Sequence, residues 1–324
     1  MWLRKIRSLF NPEHFQGWGK SSDYFEGWYF KFLNYDENRA FAVIPGVAMD
    51  DGSNNHSFIQ VLDGKRKTAE YHKFDVDSFT ASHNSFRVAI GNNHFSRDSI
   101  SLDLPGLKGK LGFSGVIQWP KPWYSPGIMG PYSFAPFMEC YHGIVSMDHS
   151  VSGSLEYGGE HIDFTDGRGY IEKDWGTSFP EGYIWIQSNH FDEPGISVKI
   201  SVAKIPWRGS SFVGFLAGIW IRDRLIRFTT YNGSVLRTVR ADNDNVEIVA
   251  ENSRYQLEIT VDRDSATPLV SPLRGHMNGK IEESMSSLVR VNLIDRKAGN
   301  TIYAGTGRNA AAEVAGRVEE LITG

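Results

Sequence analysis

Roughly twenty short runs of alternating or β-branched residues, each closed by Gly, Asn, Asp or Pro, divide this chain, and such spacing belongs to sandwiches and barrels. In the first half they fall at 24–35, 39–45, 57–62, 69–76, 85–90, 99–104 and 111–119. In the second half they include 141–147, 153–157, 161–164, 169–173, 182–191, 197–205 and 213–221, then continue to 301–304. That is too many strands for one small barrel, so two sheets or barrels in tandem are expected. The 324 residues leave room for them, since a domain takes roughly 150.

Composition supports the β reading. There are 33 glycines, and aromatics make up 13% of the chain. Glycine serves turns and aromatics favour strands, so an aromatic interior is expected. Between the halves, 120–140 carries Pro120, Pro122, Pro126, Pro131 and Pro136 among Trp123, Tyr124, Tyr132, Phe134 and Phe137. Proline breaks a strand ladder, so this is a long connection, with room for one short helix near 135–139. The tail alone has helical spacing: Asn309 can cap, and Val314, Val318 and Leu321 recur on one face.

Charge and cysteine narrow the function. With 34 Lys+Arg against 38 Asp+Glu, the net charge of −4 offers no basic footprint for nucleic acid. Cys140 stands alone, which excludes an internal disulfide or a thiolate-rich metal site and fits a reducing, cytoplasmic compartment. The first ten residues mix Arg4, Lys5 and Arg7 with Trp2, Leu3, Ile6, Leu9 and Phe10. They lack a signal-peptide core, and peripheral docking of 1–10 on a bilayer is the alternative to an arm packed on the protein. The longest apolar run, 212–221, is half the ~20 residues of a membrane-spanning helix, so no span is expected.

Several patterns bear on chemistry. Gly305-Thr-Gly307-Arg-Asn-Ala310 resembles a dinucleotide fingerprint, but too little chain follows to complete a βαβ unit, and a glycine-requiring turn into a helix is expected instead. His142 and His149 can meet across a hairpin, yet no third metal ligand can be named, so no metal is expected. In 24–32 the period of two puts Tyr24, Glu26, Trp28, Phe30 and Phe32 on one face. A carboxyl there pairs with a base or donor, or stays protonated. Glu172 and Asp174 share a face of Gly169-Tyr-Ile-Glu-Lys-Asp-Trp-Gly176. Tyr183, Trp185, Gln187 and Asn189 alternate into a half-polar, half-aromatic wall, and such walls line ligand cavities or meet solvent. Glu139, Tyr141 and His142 form a third polar cluster.

Taken together, Asn11-Pro12-x-x-Phe15-Gln16-Gly17, Tyr24-Phe-Glu-Gly-Trp-Tyr-Phe-Lys31, Glu139-Cys-Tyr-His-Gly143, Gly169-Tyr-Ile-Glu-Lys-Asp-Trp-Gly176 and Trp185-Ile-Gln-Ser-Asn-His190 resemble the tocopherol cyclase family. A weaker echo sits at Ala311-Ala-Glu313-Val-Ala-Gly316. The acid-x-x-Trp-Gly element is also similar to that of carotenoid hydratases. The resemblance implies an all-β fold of two tandem lipocalin-like (calycin) barrels or sheets with a short C-terminal helix, divided into 1–165 and 166–324, with a cavity near their junction.

It also implies ring closure of a prenylated benzoquinol to a chromanol, with neither metal nor nucleotide cofactor. A non-catalytic carrier of an isoprenoid or lipid is the alternative. Such an addition needs an acid for the alkene, a dry pocket and a base for the phenol. On this reading Glu172 or Asp174 is the acid, and His190 or His142 takes or orients the phenol proton. Glu26, Gln187 and Asn189 hold the quinol hydroxyls. Trp28, Trp175 and Trp185 face the cation. Tyr170 and Tyr183 close the pocket beside Trp175, with Glu139 and Tyr141 nearby.

Overall fold

The computed structural model describes residues 8–50 and 54–322, so most of the docking segment foreseen at 1–10 lies outside the described residues. Alternating side chains and turn residues yield strands almost throughout. The first are β1 (Tyr24–Leu33), β2 (Ala40–Met49), β3 (His56–Asp63), β4 (Thr68–Asp75), β5 (Phe79–Ala81) and β6 (Arg87–Ile90). Next come β7 (Asn93–Ser96), β8 (Ser99–Leu104), β9 (Leu107–Ser114), β10 (Cys140–Tyr157), β11 (Glu160–Asp163) and β12 (Gly167–Gly176). Among the described residues these twelve form one antiparallel sheet in the order β4-β3-β2-β1-β12-β10-β9-β8-β7-β6-β5, with β11 paired to β10.

The second sheet uses β13 (Gly182–Ser188), β14 (His190–Phe191), β15 (Ser197–Trp207), β16 (Ser210–Ile221), β17 (Arg224–Thr229) and β18 (Val235–Ala241). It is completed by β19 (Asn245–Glu251), β20 (Tyr255–Asp262), β21 (Thr267–Leu273), β22 (His276–Asp295) and β23 (Asn300–Gly316). Its order is β17-β16-β15-β13-β23-β22-β20-β19-β18, with β14 on β23 and β21 on β22. The all-β expectation holds, and each sheet encloses its own core.

The chain divides into a first unit of Met1–Phe179 with Val270–Lys280 and a second of Pro180–Leu269 with Ile281–Gly324. The division therefore falls at 179/180 rather than 165/166. The reason is pairing: β12 is bonded on one side to β1 and on the other to β10, which makes it a central strand of the first sheet.

The aromatic interior expected from composition is a property of the first unit, where Trp28, Phe30, Phe32, Phe41, Phe86, Phe95, Phe113 and Phe164 pack together. The second core is mainly aliphatic, built on Ile184, Ile186, Val198, Ile200, Ile219, Ile248, Ile259 and Val291. Each such side chain contributes about 1.5–3 kcal/mol when fully buried.

The expected C-terminal helix is a strand. β23 runs to Gly316, and only Val318–Glu320 makes a single 3-10 turn. Asn309, read as a cap, instead takes φ 49° at a break in the β22/β23 register, a conformation Asn tolerates better than most residues. Helical spacing of Val314, Val318 and Leu321 lost to the ladder because Ala310, Ala312 and Val314 alternate into the second core. The glycines of 305–310 serve packing within that strand, since a Cβ on Gly307 would lie 2.8 Å from Phe191 and Val289. The helical turn foreseen at 135–139 lies earlier, at Gly130–Phe134, where Pro131 suits a helix start.

Candidate active site

Alternation along β12 sends Tyr170, Glu172 and Asp174 to one face and Ile171, Lys173 and Trp175 to the other. The second set joins the core side. Lys173 Nζ lies 2.5 Å from Glu26 Oε1, 2.8 Å from the Pro12 carbonyl oxygen and against that of His14. It also sits 4.9 Å from the Trp28 ring centroid and 4.6 Å from that of Trp175. Glu26 accepts from Tyr24 Oη at 2.5 Å, from Gln16 N at 2.9 Å and from Gly17 N at 2.9 Å. Burial raises the Glu26 carboxyl and lowers the Lys173 ammonium, while each opposes the other's shift. Burial and the adjacent Glu26 hold the Tyr24 phenol well above its usual range.

Three expected roles change accordingly. Glu26 does sit among aromatics on the face foreseen, but its oxygens are taken up by Lys173, Tyr24 and the backbone of residues 16–17, so it has no acceptor to offer a quinol. Trp28 and Trp175 already present their π faces to the Lys173 ammonium. Trp175 further stacks on Tyr141 at 5.5 Å and, by alternation, points away from Glu172 and Asp174. The motif Asn11-Pro12-x-x-Phe15-Gln16-Gly17 thus supplies backbone donors and acceptors for one buried ion pair.

The opposite face of β12 carries the candidate site. His142 on β10 is the register partner of Asp174, and its Nδ1 lies 2.6 Å from Asp174 Oδ1. Its Nε2 lies 3.6 Å from Glu172 Oε2, which accepts from Tyr170 Oη at 2.5 Å. Burial and the nearby carboxylates, Glu172 first, hold the Tyr170 phenol well above its usual range, so it remains a donor. Exposure rises outward along the chain, with side-chain values of 5% for Glu172, 11% for His142 and 22% for Asp174. Asp174 is therefore the most accessible of the three. Across the ladder it faces Gly27 on β1, which adds no side chain over the carboxyl. The ligand atoms of His142, Glu172 and Asp174 lie within 4.8 Å of one another, close enough to hold a divalent cation as well as to pass a proton.

The two histidines of β10 do not share a site. His149 is buried, and its Nδ1 lies 2.9 Å from Ser146 Oγ. Because that hydroxyl donates to the Asp148 carbonyl oxygen, it accepts from His149, which fixes the proton on Nδ1. Burial lowers the imidazole pKa to about 3. Tyr141 donates its hydroxyl to the Ala135 carbonyl oxygen, and the Glu139 carbonyl oxygen accepts from Thr177 N at 2.8 Å. Both residues close the end of the 120–140 connection.

The remaining expected residues belong to the second unit. Ile184 and Ile186 enter its core, which leaves Tyr183, Trp185 and Gln187 on the other face of β13 as foreseen. Tyr183 Oη donates to Glu313 Oε2 at 2.6 Å, and Gln187 Nε2 lies 3.4 Å from Asn189 Oδ1. His190 is on β14, opposite Arg308. Glu313 and Glu283, cross-strand partners on β23 and β22, were missed as site candidates, as was the buried Lys199, which donates to Ser201 Oγ at 2.6 Å. The signal was present in Ala311-Ala-Glu313-Val-Ala, where an acid alternates with core alanines. A cavity of about 890 Å³ in the first unit is lined by Arg87, His94, Ser96 and Arg97 among others, and none of the expected site residues borders it.

An antiparallel sheet around an aromatic core, followed by a second around an aliphatic one, defines a lipocalin-like fold, and neighbouring strands β10 and β12 bring an imidazole between two acids on one face of the first sheet. The sequence model described as tocopherol cyclase-like matches residues 111–316, and the chain belongs to that family. It is 27% identical over 193 residues to the chloroplastic tocopherol cyclase of Zea mays, an alignment covering 56% of this chain and 40% of that protein. Over 191 residues it is 25% identical to a probable chloroplastic tocopherol cyclase of Oryza sativa subsp. japonica, with the same coverage. The chain thus spans less than half the length of these relatives. Similar solved structures are CghA with Sch210972, at TM-score 0.56 and 12% identity over 90% of this chain and 88% of that one, and a putative AttH from Nitrosomonas europaea, at TM-score 0.52 and 16% identity over 90% and 92%. They share the fold.

Proposed function

We propose that the protein closes a prenylated benzoquinol to a chromanol by acid catalysis, with Asp174 as the proton donor. The observation that carries this reading is the set Glu172–His142–Asp174, graded from sealed to accessible. Asp174 gives its proton to one alkene carbon, and the tertiary cation forms at the other. A lone pair of the phenolic oxygen closes the ring, the phenol proton passes to His142, and His142 returns it to Asp174. The product has the mass of the substrate, and no electron is gained or lost. Tyr170 holds Glu172 in place, and Glu172 in turn faces the far nitrogen of His142.

Family membership and the tocopherol cyclases named above support this substrate class. Incubation with a panel of prenylated benzoquinols in excess chelator, followed by chromatography for a product of unchanged mass, tests it. The parent is expected to convert at least one substrate, and Asp174→Asn to lose roughly the 10²–10⁴-fold typical of a general acid, with little change in ligand affinity. Binding and release of unchanged quinol would make the protein a carrier. Activity that vanishes with chelator and returns with a divalent cation would assign the same trio to a metal.

A further inference from the structure

None of the residues assigned to the proton chain lines the cavity of about 890 Å³ in the first unit. Its shape follows from the register of β5, β6 and β7. Val88 and Ile90 enter the core from β6 and Phe95 from β7, so alternation turns Arg87, Ala89, His94 and Ser96 to the other face. There Arg87 stands opposite Ser96 and Ala89 opposite His94, while on its other flank Ala89 stands opposite Thr80. All five residues line the cavity. A single methyl group thus occupies the middle of a patch bordered by a guanidinium, an imidazole and two hydroxyls. Both acids of the lining are already matched, Glu13 by Lys121 at 2.7 Å and Asp98 by Arg97 at 3.0 Å. Arg87 and His94 form no ion pair among the described residues, so the positive charge beside Ala89 is uncompensated.

We propose that this cavity binds a small hydroxylated molecule through a tetrahedral oxyanion, a phosphate or sulfate ester, seated over Ala89 and held by Arg87, His94 and Thr80. Arg87 and His94 are diagonal neighbours on the ladder, and such neighbours lie about 7–8 Å apart, a gap that one oxyanion bridges. The guanidinium fork matches phosphate geometry, and the imidazole and the Thr80 hydroxyl donate from other directions. A tetrahedral head has oxygens to meet all three, whereas the two oxygens of a carboxylate share one plane. Ser96 Oγ donates to the Ser99 carbonyl oxygen at 3.1 Å, so it braces the 96–99 turn rather than the ligand. The volume lies within the roughly 300–1,000 Å³ of small-molecule sites and exceeds what an inorganic ion fills. Asn11, Asn84 and Ser85 line the remainder, which suits a body bearing hydroxyls. The proposal is independent of the chemistry assigned to Asp174.

Titration calorimetry of the full chain tests it with four probes that share one body and differ in the head group: glucose phosphorylated at its primary hydroxyl, glucose sulfated there, glucuronate and glucose. At least one ester should bind at millimolar concentration or below, the tighter of the two naming the anion, with glucuronate weaker and glucose silent. Arg87→Gln should weaken ester binding roughly tenfold or more, the loss expected of a charge-assisted hydrogen bond. Ala89→Leu should abolish it by filling the seat. Circular dichroism and urea unfolding should stay those of the parent in both variants, because both side chains lie on the face away from the core. Asp174→Asn should bind the ester like the parent, which separates this site from the acid. Absence of ester binding, glucuronate or glucose bound as tightly as the esters, or Arg87→Gln and Ala89→Leu variants that bind like the parent would overturn the proposal. So would ester binding that Asp174→Asn removes, since the ligand would then sit elsewhere.

Discussion

Lys173 Nζ lies 2.5 Å from Glu26 Oε1 with both side chains fully buried, and the pair is closed over by the backbone of residues 12–17. Removing one partner leaves a buried charge without compensation, at a typical cost of about 3–5 kcal/mol. Lys173→Met is expected to destabilise by that amount in urea unfolding. The double variant Glu26→Leu with Lys173→Met should recover a large part of the loss, which a double-mutant cycle measures. Equal loss in single and double variants would mean that the pair itself is not the source.

Gly169 has its own steric reason. A Cβ there would lie 2.3 Å from His149 Nε2 and 3.0 Å from the Lys31 carbonyl oxygen. Gly169→Ala is expected to cost about 1–3 kcal/mol, the usual range for overpacking. In a His149→Ser background most of that cost should disappear, because the closer of the two obstacles is gone.

Acid should act through the same imidazole. Burial sets the His149 pKa at about 3 in the folded protein, against ~6.5 when unfolded. The unfolded chain therefore binds the extra proton between these values. The stabilisation is complete above pH ~6.5 and falls by about 1.4 kcal/mol per pH unit as the pH drops toward 3. Urea titrations between neutral and moderately acidic pH should show this slope in the difference between parent and His149→Phe. Parallel stability curves would refute it.

Gly27 tests the approach to Asp174. A Cβ at this position meets nothing closer than 3.7 Å, from Ile44 and Pro45, so Gly27→Ala should leave stability unchanged or raise it by about 0.4–1 kcal/mol. The larger Gly27→Leu should narrow the space over the carboxyl and raise KM or lower kcat/KM for a cyclised quinol. A stable, fully active Gly27→Leu would place the substrate elsewhere.

Strand alternation makes much of this legible in the sequence. It grouped Tyr24, Glu26 and Trp28, paired Glu172 with Asp174, and set Tyr183, Trp185 and Gln187 on one wall. Errors arose where period and pairing compete. Sequence proximity placed Trp175 beside Asp174, whereas adjacent residues on a strand face opposite ways. The tail looked helical because a bulge at Asn309 and a run of small residues blur a period of two. Lys173, the partner of Glu26, is 147 positions away in sequence and lies diagonally across the β1/β12 ladder, opposite Trp28, and nothing local announces it as a buried base.

The back-to-back arrangement on β12 bears on anyone who wishes to move this chemistry to another scaffold. A slip of one residue would turn Lys173 toward the proton chain and Glu172 into the aromatic core, so both networks fail together. The ion pair with Glu26 therefore acts as an alignment mark for the acid on the reverse side. A transplanted Asp174 and His142 without Lys173, Glu26 and the 11–17 segment would be two ligandable side chains on a strand with no assigned phase.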